Sequence, residues 1–269
     1  MSDQPNRVAV VTGGGGVLCG AMSRALGRQN ISVAVLDLSQ TAAQTVADQI
    51  IADGGRAIAV AANVLSRESL QQAADRIHTE LGPIDILING AGGNKPDSTA
   101  TPDRSFFDIP AEAIQWVFNL NCLGTILPCQ IFVPDMVARQ QGVVINLASM
   151  SGIRPLTRVV AYSAAKAAVA NFTQWLAVHL AQEYSPRIRV NAIAPGFFLT
   201  AQNEFLLIDR ESGQATARGK TILAHTPAGR YGTPDDLLGA LLWLVSDAAA
   251  FVSGIVLPVD GAFSAFSGV

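Results

Sequence analysis

The sequence predicts an α/β fold, a doubly wound parallel sheet of about seven strands with helices on both faces. Short apolar runs alternate with amphipathic stretches along a chain of 269 residues. The apolar runs are β-branched and almost continuously hydrophobic, as strands covered on both faces must be. Repeated alternation favours right-handed crossovers within one domain, residues 1–269.

Seven segments carry the strand pattern, and helical patterns lie between them. The predicted strands are residues 7–11, 32–36, 57–62, 85–89, 143–148, 188–194 and 255–260. The predicted helices lie near residues 17–29, 39–53, 66–81, 111–140, 156–184 and 234–247. Residues 197–230 interrupt the alternation and are too long for an ordinary connection, which is typical of a substrate-binding insertion.

Composition argues against several classes of protein. A net charge of −3 gives no reason to expect nucleic acid, and no run of about 18 apolar residues indicates a membrane span. Residues 1–7 lack the apolar stretch of a signal peptide. Cys19, Cys122 and Cys129 lie in apolar surroundings, which favours reduced thiols in the cytoplasm. No metal is expected.

A glycine-rich segment, TGGGGVLC from Thr12 to Cys19, follows the first predicted strand and opens the first helix. Backbone N–H groups and the helix dipole can hold a pyrophosphate there, although a purely structural turn is the alternative. Asp37 ends the second strand, where a carboxylate can bind the ribose hydroxyls of adenosine. Its alternative role is at the start of the next helix. No arginine follows to receive a 2′-phosphate, so NAD(H) is favoured over NADP(H).

Tyr162 and Lys166 lie four residues apart and therefore share one face of a predicted helix. Alone, such a pair is common on protein surfaces. However, Ser149 lies thirteen residues before Tyr162, at the end of the fifth predicted strand, and Asn121 lies in the helix after the fourth. Their order and spacing favour a catalytic group.

With these motifs the chain resembles the short-chain dehydrogenase/reductase family of the single-domain, Rossmann-like type, from about residue 7 to residue 261. The resemblance implies that Tyr162 is the general acid/base, and that Lys166 contacts the nicotinamide ribose and lowers the pKa of the tyrosine. It also implies that Ser149 hydrogen-bonds the substrate oxygen and that Asn121 holds a water in a proton relay.

The resemblance extends to the cofactor loops, with two departures. Val17 and Cys19 replace glycines of the family's loop, and we expect an active enzyme with an altered loop. Asn63 and Val64 stand where the family has Asp-Val beside the adenine. The implied cofactor-binding residues are Thr12, Gly13, Gly15, Val17, Leu18, Asp37, Leu38, Asn63, Val64, Asn89, Gly90, Ala91, Tyr162, Lys166, Pro195, Gly196, Phe198 and Thr200.

The segments RPLTRVVAYSAAKAAVANFTQWLAVHLA and NAIAPGFFLTAQNEFLL further resemble the D-mannonate oxidoreductase (fructuronate reductase) branch of the family. That branch interconverts D-fructuronate and D-mannonate with NAD(H). A sugar-acid carboxylate requires a cation, preferably a guanidinium. Arg154 and Arg158, between Ser149 and Tyr162, are the candidates, although each could be a solvated surface residue. Lys95 and His225 are weaker candidates.

Two other functions stay open at this point. The chain could reduce another small carbonyl, such as a 3-oxoacyl thioester or a polyol precursor, or it could be a non-catalytic NAD-binding regulatory protein. Charged residues make up 14% of the chain, against about 25% in typical domains, which favours a surface buried against other copies. The family resemblance implies a homotetramer paired through helices 111–140 and 156–184, and we expect the tail, residues 263–269, against a neighbour.

Overall fold

The computed structural model describes residues 7–200, 207–209 and 213–268. Its sheet has seven parallel strands in the order β3-β2-β1-β4-β5-β6-β7, which confirms the predicted doubly wound fold. The strands are β1 (Val8–Thr12), β2 (Ser32–Asp37), β3 (Ala57–Ala61), β4 (Ile86–Asn89), β5 (Gly142–Leu147), β6 (Ile188–Pro195) and β7 (Val256–Val259). The strand order reverses between β1 and β4, and ligands of such sheets bind at this crevice.

Helices cover both faces of the sheet. They are α1 (Val17–Gly27), α2 (Gln40–Ala52), α3 (Arg67–Glu80), α4 (Ala111–Phe118), α5 (Gly124–Arg139), α6 (Val160–Glu183), α7 (Ala217–Ala224) and α8 (Leu238–Val245). One core cluster joins the sheet to α1, α2 and α8, and a second joins it to α3, α5 and α6. β5 and β6 are buried along their whole lengths, as their largely apolar sequences favour.

The helix predicted over residues 111–140 is interrupted by a π-helical turn, Asn119–Leu123, between α4 and α5. Counted as one helix, Ala111–Arg139 is long and apolar enough to cross a membrane. In this fold its Phe132, Val133 and Met136 are buried against the sheet instead. The π turn places Asn121 on the side of the helix that faces the strand ends.

The segment between β5 and α6 also differs from the prediction, because α6 begins at residue 160 rather than near 156. A 3-10 turn, Met150–Gly152, follows β5. Within the predicted insertion, residues 201–206 and 210–212 lie outside the described residues, and α7 occupies residues 217–224.

Candidate active site

A cavity of about 430 Å³ opens at the carboxyl ends of β1, β4, β5 and β6. Because the strands are parallel, the loops that follow them meet at this edge. Its lining includes Gly13, Val17, Leu18, Cys19, Asp37, Gly90, Ala91, Ser149, Tyr162, Lys166, Pro195, Gly196, Phe198 and Thr200. The fold therefore brings most of the residues predicted from the sequence into one site.

The glycine loop is held against the loop after β4. Gly13 has a φ of 65°, and a Cβ there would lie 2.9 Å from the backbone of Ala91. The hydroxyl of Thr12 accepts hydrogen bonds from the N–H groups of Gly90 (3.1 Å) and Ala91 (3.2 Å). The two loops thus form a narrow backbone cradle, which suits the close approach of a pyrophosphate.

The two residues that replace family glycines have different surroundings. Val17 begins α1 and is 44% exposed beside the cavity. Cys19 is 5% exposed, and its sulfur occupies the space that a Cβ on Gly90 would need. Burial raises the pKa of the Cys19 thiol to about 12, so it remains protonated at neutral pH. Cys19 therefore fills space between α1 and the loop after β4.

The carboxylate of Asp37 is hydrogen-bonded to the backbone on two sides, and its expected contact with a ribose stays a prediction. One carboxylate oxygen accepts from the N–H of Gly15 (3.0 Å) and the other from the N–H of Ser39 (3.0 Å). Ser39 in turn caps α2 by accepting from Ala42. The carboxylate thus fixes the glycine loop and the start of α2 while it lines the cavity.

Lys166 brings a buried positive charge to the end of β5. It is 4% exposed, and its Nζ donates to the carbonyl of Leu147 at 2.7 Å. Desolvation lowers the pKa of its ammonium group to about 8. Nζ also lies 5.7 Å from the centroid of the Tyr162 ring. At neutral pH the lysine is still largely a cation.

Ser149 is held by a neighbour that the sequence did not reveal. Its Oγ accepts from the N–H of Ser151 at 3.2 Å and lies 3.1 Å from the Ser151 hydroxyl. A Cβ on Gly152 would lie 2.6 Å from the backbone of Lys166, so the 3-10 turn packs directly on α6. This contact sets the position of Ser149 relative to Tyr162 and Lys166.

The pKa of Tyr162 lies above its ordinary value, whereas the family resemblance predicted a lowering by Lys166. Burial is the larger cause, and a hydrogen bond with Ser149 partly opposes it. Desolvation penalises the phenolate and outweighs the opposing effect in the protein alone, and the expected lowering by Lys166 stays a prediction. The neutral phenol is the form suited to donating a proton.

Asn121 fixes the loop after β4. Its amide nitrogen donates to the carbonyls of Gly93 (2.7 Å) and Val117 (2.8 Å), and its side-chain oxygen accepts from the N–H of Gly93 (3.1 Å). A Cβ on Gly92 would meet this same oxygen. Asn121 therefore sets the shape of this wall of the cavity, and its predicted role in a proton relay stays a prediction.

The residues that line the cavity do not include five of the predicted cofactor residues that carry side chains, Thr12, Leu38, Asn63, Val64 and Asn89. Asn89 is buried, and its amide donates to the side-chain oxygen of Asn146 at 2.9 Å within the sheet. Leu38 is 77% exposed just beyond β2. The side-chain oxygen of Asn63 accepts from the N–H of Leu65 (2.9 Å), and Val64 is buried in the core. The side chain of Asn89 thus joins β4 to β5, and the expected contact of Asn89 with the cofactor stays a prediction.

Of the predicted carboxylate-binding residues, Arg154 and Arg158 are both exposed. Arg158 has a left-handed backbone, with φ of 73°, and its carbonyl accepts from the N–H of Ala100 at 2.9 Å. It also lies close enough to Arg218, at the start of α7, to lower the pKa of that residue, for which burial is the larger cause. In the described part of the chain, no carboxylate forms an ion pair with either member of this pair. The sequence did not reveal Arg218, because it lies in the insertion.

The two weaker candidates are engaged elsewhere. The Nζ of Lys95 lies 4.0 Å from a carboxylate oxygen of Asp97 and 5.6 Å from the ring centroid of Trp116. The Nδ1 of His225 lies 2.9 Å from the carbonyl of Thr221 in its own helix. Neither is among the residues that line the cavity.

Comparison with known proteins assigns the chain to a family. The family model described as short chain dehydrogenase matches residues 7–210. This chain belongs to the short-chain dehydrogenase family. Membership agrees with the strand order and with Ser149, Tyr162 and Lys166 at one cavity.

Three relatives of this short-chain dehydrogenase are informative. The uncharacterized oxidoreductase UxuB of Bacillus subtilis is 48% identical, over 98% of this chain and 96% of its own length. A crystal structure from Haemophilus influenza, of a protein provisionally named D-mannonate oxidoreductase with bound NAD, is 48% identical with a TM-score of 0.93 and covers 98% of this chain and 97% of its own. A 3-oxoacyl-[acyl-carrier-protein] reductase of Synechocystis is 34% identical, over 97% of this chain and 98% of its own.

The contact between Cys19 and Gly90 yields a prediction for stability. We expect Gly90→Ala to lower the free energy of unfolding by about 1–3 kcal/mol, because its Cβ would collide with the Cys19 sulfur. In a Cys19→Ala background, Gly90→Ala should lower the free energy of unfolding by a clearly smaller amount. Chemical denaturation of all four proteins in a double-mutant cycle measures this coupling. Strictly additive effects would contradict the proposed packing.

Proposed function

We propose that this short-chain dehydrogenase interconverts a sugar-acid ketone and its alcohol with NAD(H), most specifically D-fructuronate and D-mannonate. The observation that carries the proposal is the grouping of Ser149, Tyr162 and Lys166 beside the glycine-loop cavity. The relative provisionally named D-mannonate oxidoreductase, with its bound NAD, supports the choice of substrate and cofactor.

The residues of the site assign the steps. During reduction, the hydroxyl of Tyr162 donates a proton to the substrate carbonyl oxygen, and during oxidation the phenolate takes it back. Ser149 hydrogen-bonds the same oxygen, and the cation of Lys166 stabilises the negative charge that develops on the tyrosine. The nicotinamide cofactor, when bound, donates or accepts the hydride.

The preference for NAD(H) rests on Asp37. Its carboxylate lines the cavity and lies one hydrogen bond from the glycine loop, where the adenosine ribose of a bound dinucleotide would lie. Leu38, Ser39 and Gln40 follow it without a cation. A 2′-phosphate would therefore meet a negative charge with no adjacent positive charge to offset it.

A carboxylate-bearing substrate is supported by Arg158 and Arg218. One comes from the segment that joins Ser149 to Tyr162, and the other from the insertion after β6. Two neighbouring guanidinium groups repel each other until an anion binds between them. Leu156, which lines the catalytic cavity, also lines the neighbouring cavity in which Arg158 lies. We assign the substrate carboxylate to this pair.

The alternatives make different demands on the site. A 3-oxoacyl thioester reductase, like the Synechocystis relative, would need no cation for a small substrate carboxylate. A non-catalytic regulatory protein would need no buried lysine beside a tyrosine. Assays of D-fructuronate, D-mannonate and acetoacetyl thioesters with NAD(H) and NADP(H), followed by absorbance, distinguish all three.

A homo-oligomer is supported by an apolar groove between α5 and α6. Phe172, Trp175, His179 and Tyr184 form a run of aromatic contacts along α6, and Trp175 is 56% exposed. The tail was expected against a neighbour, but Phe263 packs on Phe197 of the same chain, with ring centroids 5.1 Å apart. Residue 269 lies outside the described residues. We therefore base the proposed tetramer on the helices.

Removal of the proton donor tests the chemistry. We expect wild-type protein to oxidise NADH when D-fructuronate is added, and Tyr162→Phe to lower kcat by about 10²–10⁴-fold, the usual size of general acid catalysis. NADH binding, measured by fluorescence, should change little. Near-normal turnover in this variant would remove Tyr162 from the mechanism.

Cofactor choice tests the assignment of Asp37. We expect kcat/KM for NADH to exceed kcat/KM for NADPH about tenfold or more in the wild-type protein. In Asp37→Ala we expect this preference for NADH to be smaller. Asp53→Ala is the matched control, since it removes an exposed carboxylate at the far end of α2. The assignment would be wrong if the wild-type protein preferred NADPH, or if Asp53→Ala reduced the preference for NADH as much as Asp37→Ala does.

Removing an arginine tests the substrate class. We expect Arg158→Ala and Arg218→Ala each to raise KM for D-fructuronate about tenfold or more, because a charged hydrogen bond is lost, and to spare NADH binding. An uncharged ketone should be affected little, and Arg28→Ala is the surface control. If Arg154→Ala raised KM for D-fructuronate more than the other two variants, the substrate carboxylate would be assigned to Arg154 instead. If Arg154→Ala, Arg158→Ala and Arg218→Ala all bound D-fructuronate like the wild type, none of these arginines would bind the substrate carboxylate, and the sugar-acid proposal would lose this support.

Sedimentation tests the assembly. We expect a tetramer at micromolar concentration and smaller species for Trp175→Glu, because the new charge would lie in the groove between α5 and α6. Ile51→Glu, on the outer face of α2, is the control at similar exposure. A monomeric wild-type protein would contradict the proposal.

A further inference from the structure

A second cavity, of about 450 Å³, lies at the opposite edge of the sheet from the catalytic site. Arg7, Asp85 and Arg187 directly precede β1, β4 and β6, so the cavity opens at the amino ends of the strands. Arg139, at the end of α5, and Arg189, in β6, also line it, together with Asp247. Four arginines and two aspartates therefore line one cavity.

One arginine and one aspartate neutralise each other. A guanidinium nitrogen of Arg139 lies 2.7 Å from Oδ1 of Asp85. The other oxygen of Asp85 accepts from the N–H of Val8 at 2.8 Å. Both oxygens of this carboxylate are therefore engaged, and its charge also raises the pKa of Arg7.

The remaining arginines have no such partner among the described residues. Arg7 donates to the carbonyl of Val245 at 2.9 Å, and Arg189, which is 6% exposed, donates to the carbonyls of Ser246 (3.2 Å) and Val252 (3.4 Å). Arg187 is exposed at the rim, and neither it nor Asp247 forms an ion pair in the part of the chain described. Carbonyl groups satisfy donors but supply no net charge.

The environment penalises these cations. Burial is the largest cause of the lowered pKa of Arg7 and of Arg189. Attraction to Asp85 and Asp247 opposes the lowering for Arg7 more than repulsion from Arg139 adds to it, whereas repulsion from Arg7 exceeds attraction to Asp247 for Arg189. The hydrogen bonds from Arg7 and Arg189 to backbone carbonyls have a structural role, because they attach residues 245–252 to the sheet. This role does not explain a cluster of like charges, since one donor of Arg7 and two of Arg189 bond to carbonyls among the described residues, out of five on each guanidinium.

We propose that this cavity binds a phosphate dianion, either the free ion or a phosphate monoester. Three guanidinium groups face a single carboxylate, so two positive charges remain to be balanced. Tetrahedral oxyanions accept parallel hydrogen bonds from guanidinium groups, and desolvation at the buried Arg189 strengthens such bonds. The site is separate from the catalytic cavity, because the length of the parallel strands lies between them.

Calorimetric titration of inorganic phosphate tests the proposal. The protein is first saturated with NADH, which occupies the glycine loop and removes it as a phosphate site, and ionic strength is held constant with chloride. We expect saturable binding of one phosphate per chain, weakened at least tenfold in Arg7→Ala/Arg187→Ala. Arg28→Ala, a surface arginine paired with Asp53, should bind as the wild type does.

Several results would overturn the proposal: no saturable binding at millimolar phosphate, equal weakening by Arg28→Ala, or loss of binding in Arg158→Ala with the double variant unaffected. Should the double variant fail to fold, Arg187→Ala alone serves, because that side chain is exposed. Competition by glycerol 3-phosphate would assign the site to monoesters, and its absence would assign it to the free ion. The experiment measures phosphate binding and not catalytic activity, so a negative result would not bear on the proposed oxidoreductase function.

Discussion

The burial of the Lys166 ammonium group is the constraint on which the catalytic site depends. A cation that is 4% exposed must be compensated by fixed dipoles or by a neighbouring charge. The carbonyl of Leu147, at the end of β5, provides one such dipole at 2.7 Å. Desolvation still lowers the pKa of the lysine to about 8, so the charge is present at neutral pH at an energetic cost. That cost is typical of a functional site rather than of a structural one.

The backbone around this cation is shaped by missing Cβ atoms. Gly92 allows Asn121 and Lys166 to approach the loop after β4, and Gly152 allows the turn that carries Ser149 to rest on α6. Gly90 accommodates the sulfur of Cys19, which explains how the loop retains its form with a cysteine in place of that family glycine. The three glycines thus place cation, serine and cofactor cradle on one wall. Side chains at these positions would separate groups that must act together.

Much of this arrangement could be predicted from the sequence. Largely apolar runs predicted all seven strands to within about two residues, because strands that are mostly buried leave a strong local signal; β7, which is only half-buried, was found by its β-branched residues. The π turn at Asn121 could not be predicted, since its segment reads as an unbroken apolar helix. Ser151 and Arg218 were missed because their partners, Ser149 and Arg158, are brought to them by turns rather than by helical spacing. The raised pKa of Tyr162 depends on burial, which a motif does not reveal.

Titration of Lys166 shows directly whether a desolvated cation organises the site. The chain has three lysines, Lys95, Lys166 and Lys220, so NMR of protein labelled at the lysine side chains resolves each one. We expect one lysine to titrate near pH 8, and that signal to be absent from Lys166→Met. Titration of all three lysines near the ordinary value of about 10.4 would contradict the account.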